Sequence, residues 1–192
     1  MTLRGLFAPA LILLLTACAS GTYTPPPSPV VDIERVTGQP LADVWAAIVN
    51  GAPSLGYEVR DTNREAGIIT LGFGEQDPAK YVECGDFSGS TGNTSFTGKW
   101  INWVTTSRQA RLTGLMQVRL ESLAERETRI AVRAGYALTL PASIAPGFAG
   151  ADFSFATDST DTVAVLNLLS GGQPNRTCGP SGVAEREILD LV

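Results

Sequence analysis

The chain has 192 residues, with 14 Lys and Arg against 19 Asp and Glu, and no histidine. A net charge of −5 argues against nucleic acid as a partner, and the missing histidine removes the commonest general base and metal ligand at once. With 44% hydrophobic residues there is enough apolar material for one domain with a proper core.

At the N-terminus, Met1 to Arg4 carries one positive charge, and Gly5 to Leu15 is a nearly unbroken apolar run containing Pro9. That is the size of a secretory signal core and shorter than the roughly 20 residues that span a membrane. The run ends in Leu15-Thr16-Ala17-Cys18, which resembles the bacterial lipobox: a branched apolar residue, two small residues, then the cysteine that is acylated and becomes the mature N-terminus. The resemblance implies a signal peptide over residues 1–17 and lipidation at Cys18, so the first partner is the membrane, reached through the N-terminal acyl chains at about 0.8 kcal/mol per buried CH₂. Ala19 stands where an Asp would resemble the inner-membrane retention signal, which implies the cell outer membrane, with the domain facing the periplasm. After Cys18, "ASGTYTPPPSP" up to Pro29 is small, polar and proline-rich, within a segment set at residues 18–36. Such residues bury too little surface to offset their ordering entropy, so the composition predicts an extended tether, followed by a single domain over 37–192.

The remaining cysteines are Cys84, in "VECGD", and Cys178, in "RTCGP". In an oxidising compartment they are expected to pair. The alternative is two free thiols or a redox pair, although no Cys-x-x-Cys is present.

Leu41, Val44, Trp45, Ile48 and Ala52 recur at helical spacing, with Pro40 at the start, Asp43 in the first turn and Gly56 as a stop; this is an amphipathic helix with one apolar stripe. The period then changes. Tyr57 and Val59 alternate with charged residues, "DTNREAG" is rich in turn formers, and Ile68 to Phe73 is a β-branched and aromatic run, together a hairpin. A third short strand is expected to hold Tyr81, Val82 and Cys84.

The clearest strand pair runs through Met116, Val118 and Leu120 and through Ile130, Val132, Ala134, Tyr136, Leu138 and Leu140. Pairing Leu120 with Ile130 and Val118 with Val132 keeps every apolar residue on one face and sets Glu121 opposite Arg129 on the other. A sheet with one apolar face needs a cover, and the helix at 40–55 supplies it.

Between the hairpins, "GDFSGSTGNTSFTGKW" lacks the Lys-Ser/Thr ending of a phosphate loop and reads as a surface loop. Trp100, Ile101, Trp103 and Val104 read as a strand with some rings in the core, or else as an exposed aromatic patch for a protein partner or a membrane surface. Beyond Pro141, Phe153 and Phe155 suggest an edge strand, and "TDSTDTVAVLNLL" fits a strand slightly better than a helix capped by Asp158. "SGVAEREILDLV" is a short helix capped by Ser181. The fold class is therefore α+β: an antiparallel β-sheet packed against an N-terminal amphipathic helix and a short C-terminal helix.

The lipobox and proline-rich segment, the helix "LADVWAAIVNGAPSLGYEV", the turn ending at Gly67, the strand "IITLGF", the antiparallel strands and the terminal helix together resemble the helix-grip modules of BamC-like outer-membrane lipoproteins. Those proteins carry two such modules where this chain has room for one. The resemblance implies a non-catalytic accessory or scaffolding role in the envelope, alongside protein partners and the machinery that inserts β-barrels.

No catalytic residue is expected. Lys80 and Lys99 are the only lysines, and neither lies in a Ser-x-x-Lys motif. Asp152, Asp158 and Asp161 offer oxygen atoms to a cation, but their spacing fits no EF-hand, so neither metal nor cofactor is expected. The alternative function is a pocket between helix and sheet for a lipid or other hydrophobic ligand. Large residues such as Trp45, Tyr57, Phe73 and Tyr136 favour a filled core over that pocket.

Overall fold

In the computed structural model, which describes residues 20–31, 33–75, 78–91, 94–103, 110–142, 150–165 and 175–192, the chain opens with strands β1 (Ser20–Thr24) and β2 (Glu34–Thr37). Helix α1 (Leu41–Gly51) follows, with Pro40 as its N-cap and Val44, Trp45 and Ile48 buried. A single 3₁₀ turn over Ala52–Leu55 ends at Gly56, whose φ of 89° is a left-handed stop that glycine adopts without strain.

The expected hairpin forms from β3 (Glu58–Asn63) and β4 (Ile68–Glu75), with a register shift between Val59 and Asp61. Its turn ends at Gly67, which has φ 65° and passes so close to β8 (Arg111–Ala124) that an added Cβ would lie 2.2 Å from the Leu120 carbonyl oxygen. β5 (Val82–Glu83) is the short third strand. β6 (Asp86–Thr91) and β7 (Thr94–Lys99) come next, then β8 and β9 (Glu127–Leu140). The remaining elements are β10 (Ala151–Ala156), β11 (Asp161–Ala164), β12 (Asn175–Pro180) and the C-terminal helix, α2 (Val183–Leu189).

The spine is the β8–β9 pair in the register set by its apolar alternation. Leu120 faces Ile130, Val118 faces Val132, and Glu121 faces Arg129 with an ion pair of 2.9 Å on the exposed side. β4 and β3 extend the sheet beyond β8, while β2 and β10 share the far edge of β9, β2 along residues 128–131 and β10 along residues 135–140. Phe153 and Phe155 thus sit on an edge strand, as their spacing suggests.

One face of this sheet carries Ile69, Leu71, Met116, Val118, Ile130, Val132 and Leu138, each fully buried. Each such aliphatic side chain contributes roughly 1.5–3 kcal/mol relative to exposure. α1 covers β8 and β9, and α2 packs on β9. The chain is therefore mixed α+β and mostly antiparallel, with helices on one side of the main sheet.

The Gly- and Ser-rich stretch from Gly85 to Trp100 departs from the surface loop expected of it. It folds into the β6–β7 hairpin, which with β1 makes a separate three-stranded sheet in the order β1-β6-β7. The glycines and small hydroxyl residues hide an alternation in which Phe87 and Phe96 occupy one face, while Ser88 and Thr97 exchange a hydrogen bond of 3.0 Å on the other. A third small sheet, β11-β12-β5, makes a strand of Asp161–Ala164 within "TDSTDTVAVLNLL"; residues 166–169 of that stretch lie outside the described residues. Residues 100–103 form a helical turn where a strand was expected, with Trp100 and Ile101 buried. Val104 lies outside the described residues.

Candidate functional site

Of the residues expected to carry function, Cys84 and Cys178 stand beside the last residues of β1. Cys18 itself lies outside the described residues. Two positions later β1 begins, pairing antiparallel with β6 from Ser20 opposite Ser90 to Thr24 opposite Asp86. Two strands, β1 and β2, therefore fall largely within the segment expected as a tether, ahead of the expected boundary at residue 37.

The reason is local and tertiary together. Thr22, Tyr23 and Thr24 are good strand formers, and Tyr23 is held from both sides by β12. Its hydroxyl donates to the Thr177 carbonyl at 3.1 Å and accepts from the Thr177 amide at 2.9 Å. Its ring lies 4.4 Å from the Arg176 guanidinium carbon. Burial raises the Tyr23 pKa above its ordinary value, with the Thr177 hydrogen bonds opposing.

Arg176 is the key piece of this contact. It is 1% exposed, and its guanidinium faces the rings of Tyr23, Phe87 and Trp100, an aromatic box that stabilises a desolvated cation by about 2 kcal/mol. Burial pulls its pKa below the ordinary arginine value, with Tyr23 opposing. Next to the box on the sheet side, Phe87, Phe96 and Trp103 form an aromatic cluster with centroid separations of 5.6–6.4 Å. Phe87 is buried, whereas Phe96 and Trp103 remain partly exposed.

Cys84 and Cys178 are both fully buried and stand at disulfide distance, with an S–S separation of 1.98 Å. The link clips the residue after β5 to β12, with Cys178 one residue from Thr177 and two from Arg176 along that strand. Alongside, residues 25–31 run extended over β5, β12 and α2, walling an open cleft of about 530 Å³ whose lining includes Lys80, Glu83, Lys99, Pro180 and Arg186. Lys99 pairs with Glu83, and Lys80 pairs with Glu187 at 2.6 Å.

Beneath α2 lies a polar cluster that sequence reading missed. Glu187 accepts from the Tyr57 hydroxyl at 2.7 Å and from Tyr81 at 3.3 Å. Glu185 is fully buried and accepts through one oxygen from Tyr136 at 2.8 Å and from Thr157 at 2.9 Å, while its other oxygen accepts nothing among the described residues. Burial, reinforced by the adjacent carboxylates, raises the pKa of Tyr57 and Tyr136 well above the usual phenol range. The Phe73 ring sits between Tyr57, Tyr81 and Tyr136 at 5.6–5.7 Å and is accommodated by Gly114, where a Cβ would fall 2.2 Å from it. Enclosed in this way, the cluster ties α2 to the sheet. In the sequence Glu185 reads only as an acidic residue in the first helical turn, and Arg176 only as part of the Asn-x-Thr at 175–177.

The three aspartates do not converge. Asp158 pairs with Arg133 at 3.2 Å, Asp161 accepts from the Ser154 amide at 2.8 Å, and Asp152 is exposed on β10. Among the described residues, no three metal-ligating side chains stand close enough to hold an ion. Ser181 precedes α2 as expected and accepts from the Val183 amide at 3.3 Å, although Gly182 takes the N-cap position itself. No family model, curated protein or solved structure matches this chain.

Proposed function

We propose that this chain is a lipid-anchored envelope protein, held at the outer membrane by acyl chains on Cys18, with its α+β domain in the periplasm. Its role is non-catalytic, as an accessory or scaffold in the assembly of outer-membrane proteins. The observation that carries the reading is Leu15-Thr16-Ala17-Cys18 at the end of an apolar run, directly ahead of a domain whose first strand starts at Ser20. The resemblance to helix-grip modules supports the accessory role, since a helix over an antiparallel sheet is what such modules share.

The cysteine pair at disulfide distance supports export. Glu185 is buried against Tyr136 and Thr157, and the partly exposed Glu187 accepts from Tyr57 and pairs with Lys80, which supports a structural use for both. Between α1 and the sheet, Val44, Trp45, Ile48, Met116 and Val118 pack as a filled layer, which favours contact with partners over storage of a hydrophobic ligand there.

The test is to purify the protein from gently solubilised membranes and identify what accompanies it, with Cys18→Ser as the unanchored control. Recovery of barrel-assembly components, weakened in the control, is expected. A partnerless protein in both preparations contradicts the accessory role.

A further inference from the structure

Resting on that anchor reading, the register of β1 fixes which end of the domain meets the bilayer. Only Ala19 separates Cys18 from Ser20, and two residue steps span at most about 7 Å. Ser20 is paired to Ser90, and Ser90 in turn to Ser95, so the start of β1 lies beside the tip of the β6–β7 hairpin. One rung further in, Gly21 pairs with Gly89 and Gly89 with Phe96. Strands about 4.8 Å apart with a rise of about 3.3 Å per residue put the Phe96 backbone about 10 Å from that of Ser20. Trp103 packs against Phe96 at a tilt, with centroids 6.4 Å apart.

We infer that this end of the domain, the paired Ser20, Ser90 and Ser95 with Phe96 and Trp103 behind them, rests on the lipid surface and fixes the domain's orientation there. The occupant follows from chain length: acyl chains on Cys18 in the bilayer leave no slack for the domain to stand away from it. Partly exposed aromatic rings at that level match the chemistry of the interface, where amphipathic rings settle among headgroups. The one lysine of the hairpin, Lys99, stands at its far end opposite Asp86 and is paired with Glu83. The acyl chains supply affinity, and the rings supply orientation.

The experiment uses acylated protein in phosphatidylcholine vesicles whose acyl chains are brominated, with tryptophan emission as the readout. Loss of most of the Trp103 emission is expected, assigned by its absence from a Trp103→Phe variant, while emission from Trp45 on α1 persists, assigned in the same way with Trp45→Phe. Inserting about ten Gly and Ser residues between Ala19 and Ser20 adds a reach of about 17 Å and is expected to relieve the quenching without releasing the protein from vesicles. Vesicle-bound, acylated protein whose Trp103 is not quenched overturns the inference, as does quenching of Trp45 equal to that of Trp103. Mass spectrometry of the same sample separates this from failure of the anchor reading: an unmodified Cys18 overturns the anchor instead.

Discussion

Reducing the Cys84–Cys178 link is expected to remove a large part of the domain's margin of stability. The two cysteines are 94 residues apart, and closing a loop of that length costs the unfolded chain about 4.6 kcal/mol in the chain-entropy model. A domain of ordinary stability has about 5–15 kcal/mol in total, so the link accounts for about a third of it or more. Reduction is a cleaner perturbation than substitution, because both sulfur atoms remain in their fully buried sites and no cavity is opened. Guanidinium denaturation of the oxidised and thiol-reduced protein, followed by tryptophan emission, measures the difference. The reduced form should also show a larger denaturant slope, since its unfolded chain exposes more surface. A stability difference below about 1 kcal/mol would refute the loop-closure reasoning and leave the link only a local clip between β5 and β12.

Other substitutions probe the remaining contacts. Gly67→Ala forces a side chain into a left-handed backbone 2.2 Å from the Leu120 oxygen, and a loss of about 2–3 kcal/mol is expected by chemical denaturation; a loss under about 0.5 kcal/mol would mean the turn relaxes freely. Glu185→Ala strands the Tyr136 hydroxyl beneath α2 and should cost about 2–4 kcal/mol, whereas Glu185→Gln keeps the acceptor, removes a buried charge and should retain most of the stability; equal losses in the two variants would contradict this. Arg176→Met removes the cation from its box and should free β1, so that limited proteolysis cleaves near Tyr23 while the main sheet stays intact; unchanged resistance would assign the docking of β1 to the Thr177 hydrogen bonds alone. With pH the sign is set by Tyr57 and Tyr136, whose folded pKa values lie above the ordinary 10.0. Above about pH 10 the native state holds more protons than the unfolded chain, so their stabilisation is complete below that pH and is lost as pH rises further. Phenolate absorbance from these two residues should therefore appear together with unfolding, and its appearance in the folded protein would contradict the assignment.

What could be read from the sequence divides along physical lines. The β8–β9 register was legible because period-two alternation on a half-buried sheet allows a single pairing, and Glu121 opposite Arg129 agreed with it. α1 was legible for the corresponding reason at helical spacing, although Gly56, read as its stop, ends the 3₁₀ turn that follows Gly51. The β1-β6-β7 sheet was not: its strands are built from Gly, Ser and Thr, and only Tyr23, Phe87 and Phe96 reveal an inward face, in positions far apart along the chain. The same limit hid Arg176 and Glu185, whose burial depends on aromatic and hydroxyl partners brought together by tertiary structure. Trp100 was misplaced because a buried helical turn of four residues, 100–103, is too short to show a period.

The most direct test of the central claim is the intact mass of the chain recovered from membranes. A mature protein beginning at Cys18 and carrying acyl chains, with residues 1–17 gone, is the predicted result. A chain that begins at another residue, or a Cys18 without acyl groups, would contradict the anchor and every orientation drawn from it.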